Sequence, residues 1–508
     1  MIELGARVDP PAWMWEEPTR EIRNDVYARI SPRLPPYEHQ RRAVNDAVAG
    51  VKEYAFHALF MEMGTGKTKS TIDAWTVLVG DGAIDTLIVV APKSIMSTWT
   101  DEELPKHASI PYSSLSWDGK STKKSIAEFE GFMLSKVPKV YVVNVEAFQQ
   151  LNETLRERLS RLLRGGKCLM VIDESSSISH STAQRSKVLV KAGKLAAGRL
   201  ILTGTEISKG PLDLYMQFEF LHPGFWGTKS FFMFRAKYAI LQDAYGAGGR
   251  TFKKVVGYQK LGELTRQIEP HTTRALKAQC LDLPEKIRQT IFVELTETQD
   301  KMYRQLKSLL ATELASGEIM TVPNKIALFT KFRQLVGGTM KVENEYTVIE
   351  PKPGKLTALL DDLADTDEQA IIWCAFRGEI QLVSSALASL GTVVTFDGST
   401  DVDERSGAKV AFQSGEARFF VSNMKAGAYG LNLQNCHLQY FYSRDTSPQA
   451  NWQAEDRSHR PGQKHSCVYK SLVVKGTVDE RILELIEQSA DLRDIVRGMS
   501  AEDIVRFV

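Results

Sequence analysis

An apolar and aromatic run, Tyr54 to Phe60, breaks into Met61-Glu62-Met63-Gly64-Thr65-Gly66-Lys67-Thr68, and the stretch after it, Lys69 to Leu78, has the make-up of a helix. A buried strand that enters a helix through a glycine-containing turn is the building unit of a parallel α/β sheet, because parallel strands need crossovers and bury both faces. The same unit has a chemical consequence. At the helix N-terminus, unpaired backbone N–H groups and the positive end of the helix dipole face outward, and glycines let the backbone come close to an anion. Such a turn suits a phosphate. Lys67 would reach the β- and γ-phosphates of a nucleotide, and the Thr68 hydroxyl would hold Mg²⁺. The full phosphate-loop pattern has a glycine where this chain has Met61, so on this stretch alone an ordinary Gly-rich turn is the alternative.

A second element supplies acids. The apolar run Cys168 to Ile172 reads as a buried strand and stops at Asp173-Glu174. Two adjacent carboxylates at the end of a buried strand are costly unless they meet a cation or take part in chemistry. Asp173 would hold Mg²⁺, and Glu174 would orient or deprotonate an attacking water. A plain strand-end charge pair is the other reading. A third element, Gln453 to Gln463, places Arg457 and Arg460 three apart, on one face of a helix. Two guanidinium groups so placed suit the spreading charge of a γ-phosphate in its transition state; a solvated charged face is the alternative.

Organisation follows from alternation. Between residues 34 and 222, strand-like runs (Ala55–Phe60, Thr86–Ala91, Val140–Val145, Cys168–Ile172, Arg199–Thr203) are separated by helical stretches, and the pattern returns over 354–475 (Ala370–Ala375, Thr392–Phe396, Arg418–Ser422, Leu438–Tyr442, Val468–Val474). This predicts an α/β protein with two parallel-sheet lobes in tandem, ligands binding beyond the carboxyl ends of the strands. Residues 223–353 are expected to form a mainly helical insertion and linker, 1–33 an N-terminal arm, and 476–508 a C-terminal helical tail. Phe225, Trp226, Phe231, Phe232 and Phe234 mix with Lys229, Arg235 and Lys237; they could stack on bases, and a helical core is the favoured reading.

Composition adds limits. The chain has 508 residues, and Lys+Arg 64 against Asp+Glu 62 gives a net charge of +2, so any basic surface must be local. Five cysteines are widely spaced with no C-x-x-C pair, which indicates no zinc module. No long apolar span or charged-then-apolar leader is present, so the expectation is an intracellular protein of a bacterial or phage-infected cytoplasm, with no membrane association.

The order of these elements resembles the superfamily 2 helicases and translocases, specifically their Swi/Snf-like branch, from about Leu34 to about Leu485. The Q-type element resembles Pro36 to Gln40, followed by motif I (Gly64 to Thr68), motif Ia (Val89 to Ser94, then Trp99) and motif II (Asp173-Glu174). Motif III resembles Leu202 to Thr205, motif IV Ile371 to Phe376, motif V Lys425 to Leu433 and motif VI Gln453 to Gln463. The stretch Leu283-Pro284-Glu285-Lys286 is similar to the branch's linker between motor halves.

The resemblance implies two RecA-like lobes and a nucleic-acid-stimulated ATPase that moves along duplex DNA as domain closure and opening alternate its grip. In that reading Gln40 reads the adenine, and Gly64, Thr65, Gly66, Lys67, Thr68, Asp173 and Gly430 bind ATP. Thr68 and Asp173 hold Mg²⁺, and Lys67, Glu174, Arg457 and Arg460 are catalytic. Lys93, Ser94, Thr203, Lys425, Gly427 and Gln453 face the nucleic acid. The chain looks like a minimal monomeric motor of the compact bacterial or phage type, which argues against chromatin remodelling and for branch or fork remodelling or protein displacement. Three departures bear on the output step, one of them Thr446-Ser447-Pro448 in place of the family's aromatic-Asn-Pro stretch before motif VI. Ser175-Ser176-Ser177 follow the acidic pair where the family has Ala or Ser and then His, and Glu206 stands where it has Pro. The alternatives are an RNA- or single-strand-unwinding helicase, and a nucleotide-gated DNA clamp with weak turnover.

Overall fold

The computed structural model describes residues 25–204, 210–245, 251–315, 322–342, 345–397, 402–424, 431–488 and 507. The chain divides into two compact units at Asp282/Leu283.

The N-terminal unit is built on β1 (Phe56–Met61), β2 (Thr86–Ala91), β3 (Ser113–Ser116), β4 (Lys139–Asn144), β5 (Cys168–Asp173) and β6 (Gly198–Thr203). An antiparallel hairpin, β7 (Ala239–Tyr245) with β8 (Thr251–Tyr258), follows, and then β9 (Thr272–Ala275). Seven of these form one sheet in the order β3-β4-β2-β5-β6-β1-β9, parallel throughout. Every residue of β1, β2, β5 and β6 is buried, as strands covered on both faces must be. Helix α1 (Glu38–Tyr54) and helix α2 (Lys67–Gly80) flank β1. The first ends at Ala55 in the left-handed conformation (φ +65°), which turns the chain straight into β1.

The C-terminal unit carries β10 (Lys286–Val293), a small hairpin of β11 (Thr339–Val342) and β12 (Glu345–Val348), then β13 (Ala370–Cys374), β14 (Val393–Phe396), β15 (Phe419–Asn423), β16 (Leu438–Phe441) and β17 (Cys467–Val474). Its six-stranded sheet runs β10-β17-β16-β13-β15-β14, again parallel. One apolar cluster joins Ile372, Tyr440 and Leu472 of this sheet to Phe332, Leu359 and Ile482 of covering helices; a second gathers Trp373, Phe420 and Phe412 on the other face.

Two parallel-sheet lobes in tandem are therefore present, and the boundaries need correction. The stretch 223–353 is not one body. Its first part returns through β9 to pair with β1, while β10 pairs with β17 along its whole length. Each half completes the sheet of its own lobe. Helices predominate in the stretch, but both hairpins lie there too. Of the expected tail, the helix Val478–Glu487 is described, packed with the C-terminal core. The aromatic cluster resolves by position. Trp226 and Phe234 are buried in a run of ring contacts with Phe218, Phe225 and Tyr238, and the Trp226 indole donates to the Tyr215 carbonyl (3.0 Å); Phe232 stands exposed.

Candidate nucleotide-binding site

The site begins where β1 ends. Gly64 (φ +85°) and Gly66 (φ +93°) both take the left-handed conformation that folds the turn back on itself and starts α2 at Lys67. A side chain at Gly66 would also run into the Gln40 amide. The apex carbonyl, that of Thr65, is gripped from α1: Gln40 Nε2 donates to it at 3.0 Å, and the His39 ring lies 2.8 Å from it. Gln40 Oε1 in turn accepts the Tyr37 N–H (3.2 Å). Buried Gln40 thus braces the loop with both ends of its amide. The start of the loop is tied to β9, since the Glu62 N–H donates to Ala275 O (2.9 Å) and Glu62 Oε2 accepts the Lys277 N–H (2.6 Å).

Lys67 is buried and donates to the carbonyls of Met61 (2.7 Å) and Glu62 (3.3 Å). Thr68, next along the first turn of α2, is partly exposed. Below it a buried trio holds the helix. Asp73 Oδ2 accepts both the Lys69 ammonium and the Tyr27 hydroxyl, the latter at 2.8 Å. Burial and the neighbouring Asp73 push the Tyr27 phenol far up, so it stays a donor.

Asp173 closes β5, two strands from β1 with β6 between them. Its Oδ2 accepts the Trp99 indole N–H at 2.8 Å, and its Oδ1 accepts the Glu174 backbone N–H at 3.0 Å. Burial pushes the carboxyl above the usual range, while Trp99 and the charge of Lys67 pull it back. Glu174 is one of three non-glycine residues with positive φ among the described residues (φ +53°), a conformation that clusters at functional sites. It turns the chain so that the second carboxylate leaves the strand direction, half-exposed. Ser175 then donates to Gln217 Oε1 (2.6 Å), whose amide donates to Asp213 O (3.1 Å). The hydroxyl after the acidic pair is thus built into the lobe, anchored to the helix Leu214–Leu221.

Trp99 itself lies in a π-helical turn, Thr98–Glu103, a local form that often marks functional sites. Lys93 and Ser94 open the same segment just past β2, Lys93 exposed and Ser94 partly so. Thr203, at the end of β6, is wholly buried, and the next residue, Gly204, backs onto Met61 and Met63. The expected nucleic-acid face therefore presents Lys93 and Ser94 but not Thr203.

In the C-terminal unit Arg457 is only 2 % exposed. Its Nε donates to Gln453 O and its Nη1 to Leu431 O, both at 3.1 Å. Arg460 is partly exposed, with Nε on Asp456 O (2.8 Å). Gln453 is buried as well. The sequence does not announce the network beside them. Arg444 stacks on Phe441 (3.8 Å to the ring centre), donates to Ser471 Oγ (2.8 Å) and faces Glu455 (3.4 Å), which also takes Arg288 (2.6 Å). Gly430, Lys425, Gly427 and Glu206 lie outside the described residues. Two positions carry more than the sequence reading assigned them. Trp99 stood in it only as a landmark after motif Ia, and His39 had no role; the partners of both are distant in sequence.

A phosphate loop on one parallel sheet, an acidic pair two strands away, and a second parallel sheet in tandem define the two-lobed core of superfamily 2 helicases and translocases. The family model described as SNF2-related domain matches residues 39–345 and that described as helicase conserved C-terminal domain matches 352–462; the chain belongs to the SNF2-related family. It is 25% identical to the TATA-binding protein-associated factor mot1 of Aspergillus fumigatus, over 92% of this chain and 27% of that protein. It is 25% identical to the human DNA repair and recombination protein RAD54-like, over 88% of this chain and 64% of that protein. The transcription regulatory protein SNF2 of Saccharomyces cerevisiae is 23% identical, over 85% of this chain and 26% of its own length. The chain thus spans between about a quarter and two thirds of these relatives. Among solved structures, the Sulfolobus solfataricus SWI2/SNF2 ATPase core in complex with dsDNA aligns over 96% of this chain and 99% of that one, at 20% identity and a TM-score of 0.42.

Proposed function

We propose that this protein is an ATP-driven translocase on duplex DNA. The observation that carries the reading is the joined pair at the sheet's carboxyl edge. Lys67 heads α2 where a β/γ-phosphate would lie, and the buried Asp173 is hydrogen-bonded to Trp99, in the segment that also exposes Lys93. One indole would thus link the proposed nucleotide site to the proposed phosphate-backbone contact.

The donor set fits Mg²⁺ carried in with the nucleotide. No group of three His, Cys, Asp or Glu side chains that could hold a metal occurs among the described residues. The hydroxyl of Thr68 and one carboxylate, Asp173, are hard oxygen donors of the kind that share Mg²⁺ with phosphates. Bound there, Mg²⁺ would neutralise charge on the β- and γ-phosphates. Lys67 would exchange its loop carbonyls for phosphate oxygens. Gly64, Thr65 and Gly66 would offer backbone N–H groups, and Gln40 would keep that loop in shape beside the base. Glu174, turned off the strand axis, would take the proton of the attacking water. Arg460, with Arg457 behind it, would stabilise the transferring phosphoryl group. Lys93 and Ser94, with Lys425 and Gly427, would hold the DNA backbone without reading its sequence.

The test is steady-state ATP hydrolysis without nucleic acid and with duplex DNA, forked DNA, single-stranded DNA or RNA, using Lys67→Ala as the blank. Stimulation by duplex or forked DNA is expected. Stimulation by RNA or single strands alone would move the protein to the unwinding helicases. ATP binding without turnover on any of them would favour the nucleotide-gated clamp.

A further inference from the structure

The segment between β6 and β9 sends out a module that the motor chemistry does not use. It comprises the short helix Phe231–Tyr238 and the β7–β8 ribbon, a two-stranded sheet with no third strand among the described residues. Its inner side is the aromatic core around Trp226 and Phe234. Its outer side combines two features.

The first is apolar exposure. Phe232 is 76% exposed, Met233 51%, Ile240 46% and Val256 50%. A ring left that far in water costs free energy and is worth explaining when Met233, next to it in sequence, and Ile240 and Val256 of the adjoining ribbon are in water too. The second is charge. The described residues from Lys229 to Glu263 include the bases Lys229, Arg235, Lys237, Lys253, Lys254 and Lys260 against the acids Asp243 and Glu263, in a chain that holds 64 bases to 62 acids. Two of the lysines are neutralised, Lys237 by Glu263 (2.6 Å) and Lys253 by Asp243 (2.8 Å). Lys229, Lys254 and Lys260 are exposed and make no ion pair among the described residues. The two features meet. Lys229 stands one residue before the N-cap Ser230, in the turn that presents Phe232. Arg235, one helical turn beyond Phe232, donates to the backbone carbonyl of Lys253 and so fixes that face of the helix against β8.

We propose that this module is a second nucleic-acid contact, separate from the motor lobes' own, that receives DNA where strands part: Lys229, Lys254 and Lys260 take phosphates, and Phe232 stacks on a base left unpaired. Fully paired duplex offers phosphates but no free base face, whereas a fork, gap or end offers both. An exposed ring on a module that also carries unpaired cations matches the second and is wasted on the first. The proposal rests on the reading that the protein acts on DNA, and it names the DNA structure the protein prefers.

The experiment uses the full chain and a fork carrying 2-aminopurine at its first unpaired position, alongside a blunt duplex of equal length. Wild type is expected to quench the probe and to bind the fork more tightly than the duplex. Phe232→Ala should abolish the quenching, weaken fork binding by about tenfold and leave duplex binding unchanged; Phe232→Trp should retain the quenching. Because the ring is exposed, the nucleic-acid-free ATPase should be unaffected by either change and reports that the protein is folded. Lys229→Ala with Lys254→Ala should weaken both substrates and flatten the salt dependence by about one unit for each lysine removed from a phosphate. If wild type binds DNA but does not quench, or Phe232→Ala titrates the fork as wild type does, the module has another partner and the proposal falls. If wild type binds no DNA at all, the DNA reading itself falls first.

Discussion

The two parallel sheets carry their charged groups in opposite ways. At the carboxyl edge of the N-terminal sheet, Lys67 rests on two neutral carbonyls and Asp173 on an indole and a backbone N–H. Each is held by groups it can leave, and each bears on the other's charge across the edge. In the C-terminal sheet, Arg444 is locked between Phe441, Ser471 and Glu455, and Glu455 also holds Arg288. The first arrangement leaves charge on partners it can exchange; the second uses charge to define a core. Buried ions therefore do not by themselves mark chemistry. The nature of the partner decides, with neutral and exchangeable partners on one side and a fixed counter-ion on the other.

That contrast can be broken by experiment. Lys67→Ala should remove measurable ATP turnover and weaken nucleotide binding, read by hydrolysis and by nucleotide titration; retained turnover would mean the loop lysine is not the phosphate contact. Arg460→Ala should lower kcat by on the order of 10³ with little change in ATP affinity, and near-normal turnover would leave the transition-state role to another group. Arg444→Ala should act on folding rather than on ATP. The change removes one of the two guanidinium partners of the buried Glu455 and leaves Arg288, so the loss should stay below the roughly 3–5 kcal/mol of a fully broken buried pair, to be seen in denaturant unfolding. A variant of normal stability but dead in hydrolysis would place Arg444 with the chemistry and undo the comparison.

The smallest expected effect sharpens the comparison most. Trp99→Phe keeps the ring and deletes the one N–H on Asp173 Oδ2, and DNA-stimulated turnover should fall by about tenfold, the scale of a hydrogen bond to a charged group. The pH profile supplies a sign. Burial already holds the Asp173 carboxyl high, and the indole lowers it. In the proposed role the ionised carboxylate holds Mg²⁺, so activity should be lost as pH falls through its raised range. Removing the indole must raise it further and move the acid limb of the rate profile upward. An acid limb that stays in place would show that Trp99 does not act through this carboxylate.

The apolar runs made the central strands legible: Thr86–Ala91 matches to the residue, and β5 and β6 within one residue at each end. The glycines and Lys67 of the phosphate loop were equally plain, because local geometry demands them. What stayed hidden was short and at the sheet edges. Ser113–Ser116 and Thr272–Ala275 are four residues each and mostly polar; their strand character comes from pairing with distant partners rather than from their own pattern. Missing the second of these put the domain boundary too early, between His222 and Pro223. The Trp99–Asp173 bond was hidden for the same reason, since nothing near either residue encodes it, and so were the carbonyl partners that draw Arg457 inward.

The return of β9 to β1 sets a condition on synthesis. Until Thr272–Ala275 leaves the ribosome, β1 is an open edge: six buried-type residues, Phe56 to Met61, with one side of the strand unpaired. Open apolar edges are where nascent chains join one another. The N-terminal lobe is therefore most at risk of aggregation while the ribbon module is being translated. A fragment ending at Asp282 should stay soluble where one ending before Thr272 precipitates. The module at the surface works, in effect, as a delay line between making the phosphate loop and sealing the strand that carries it.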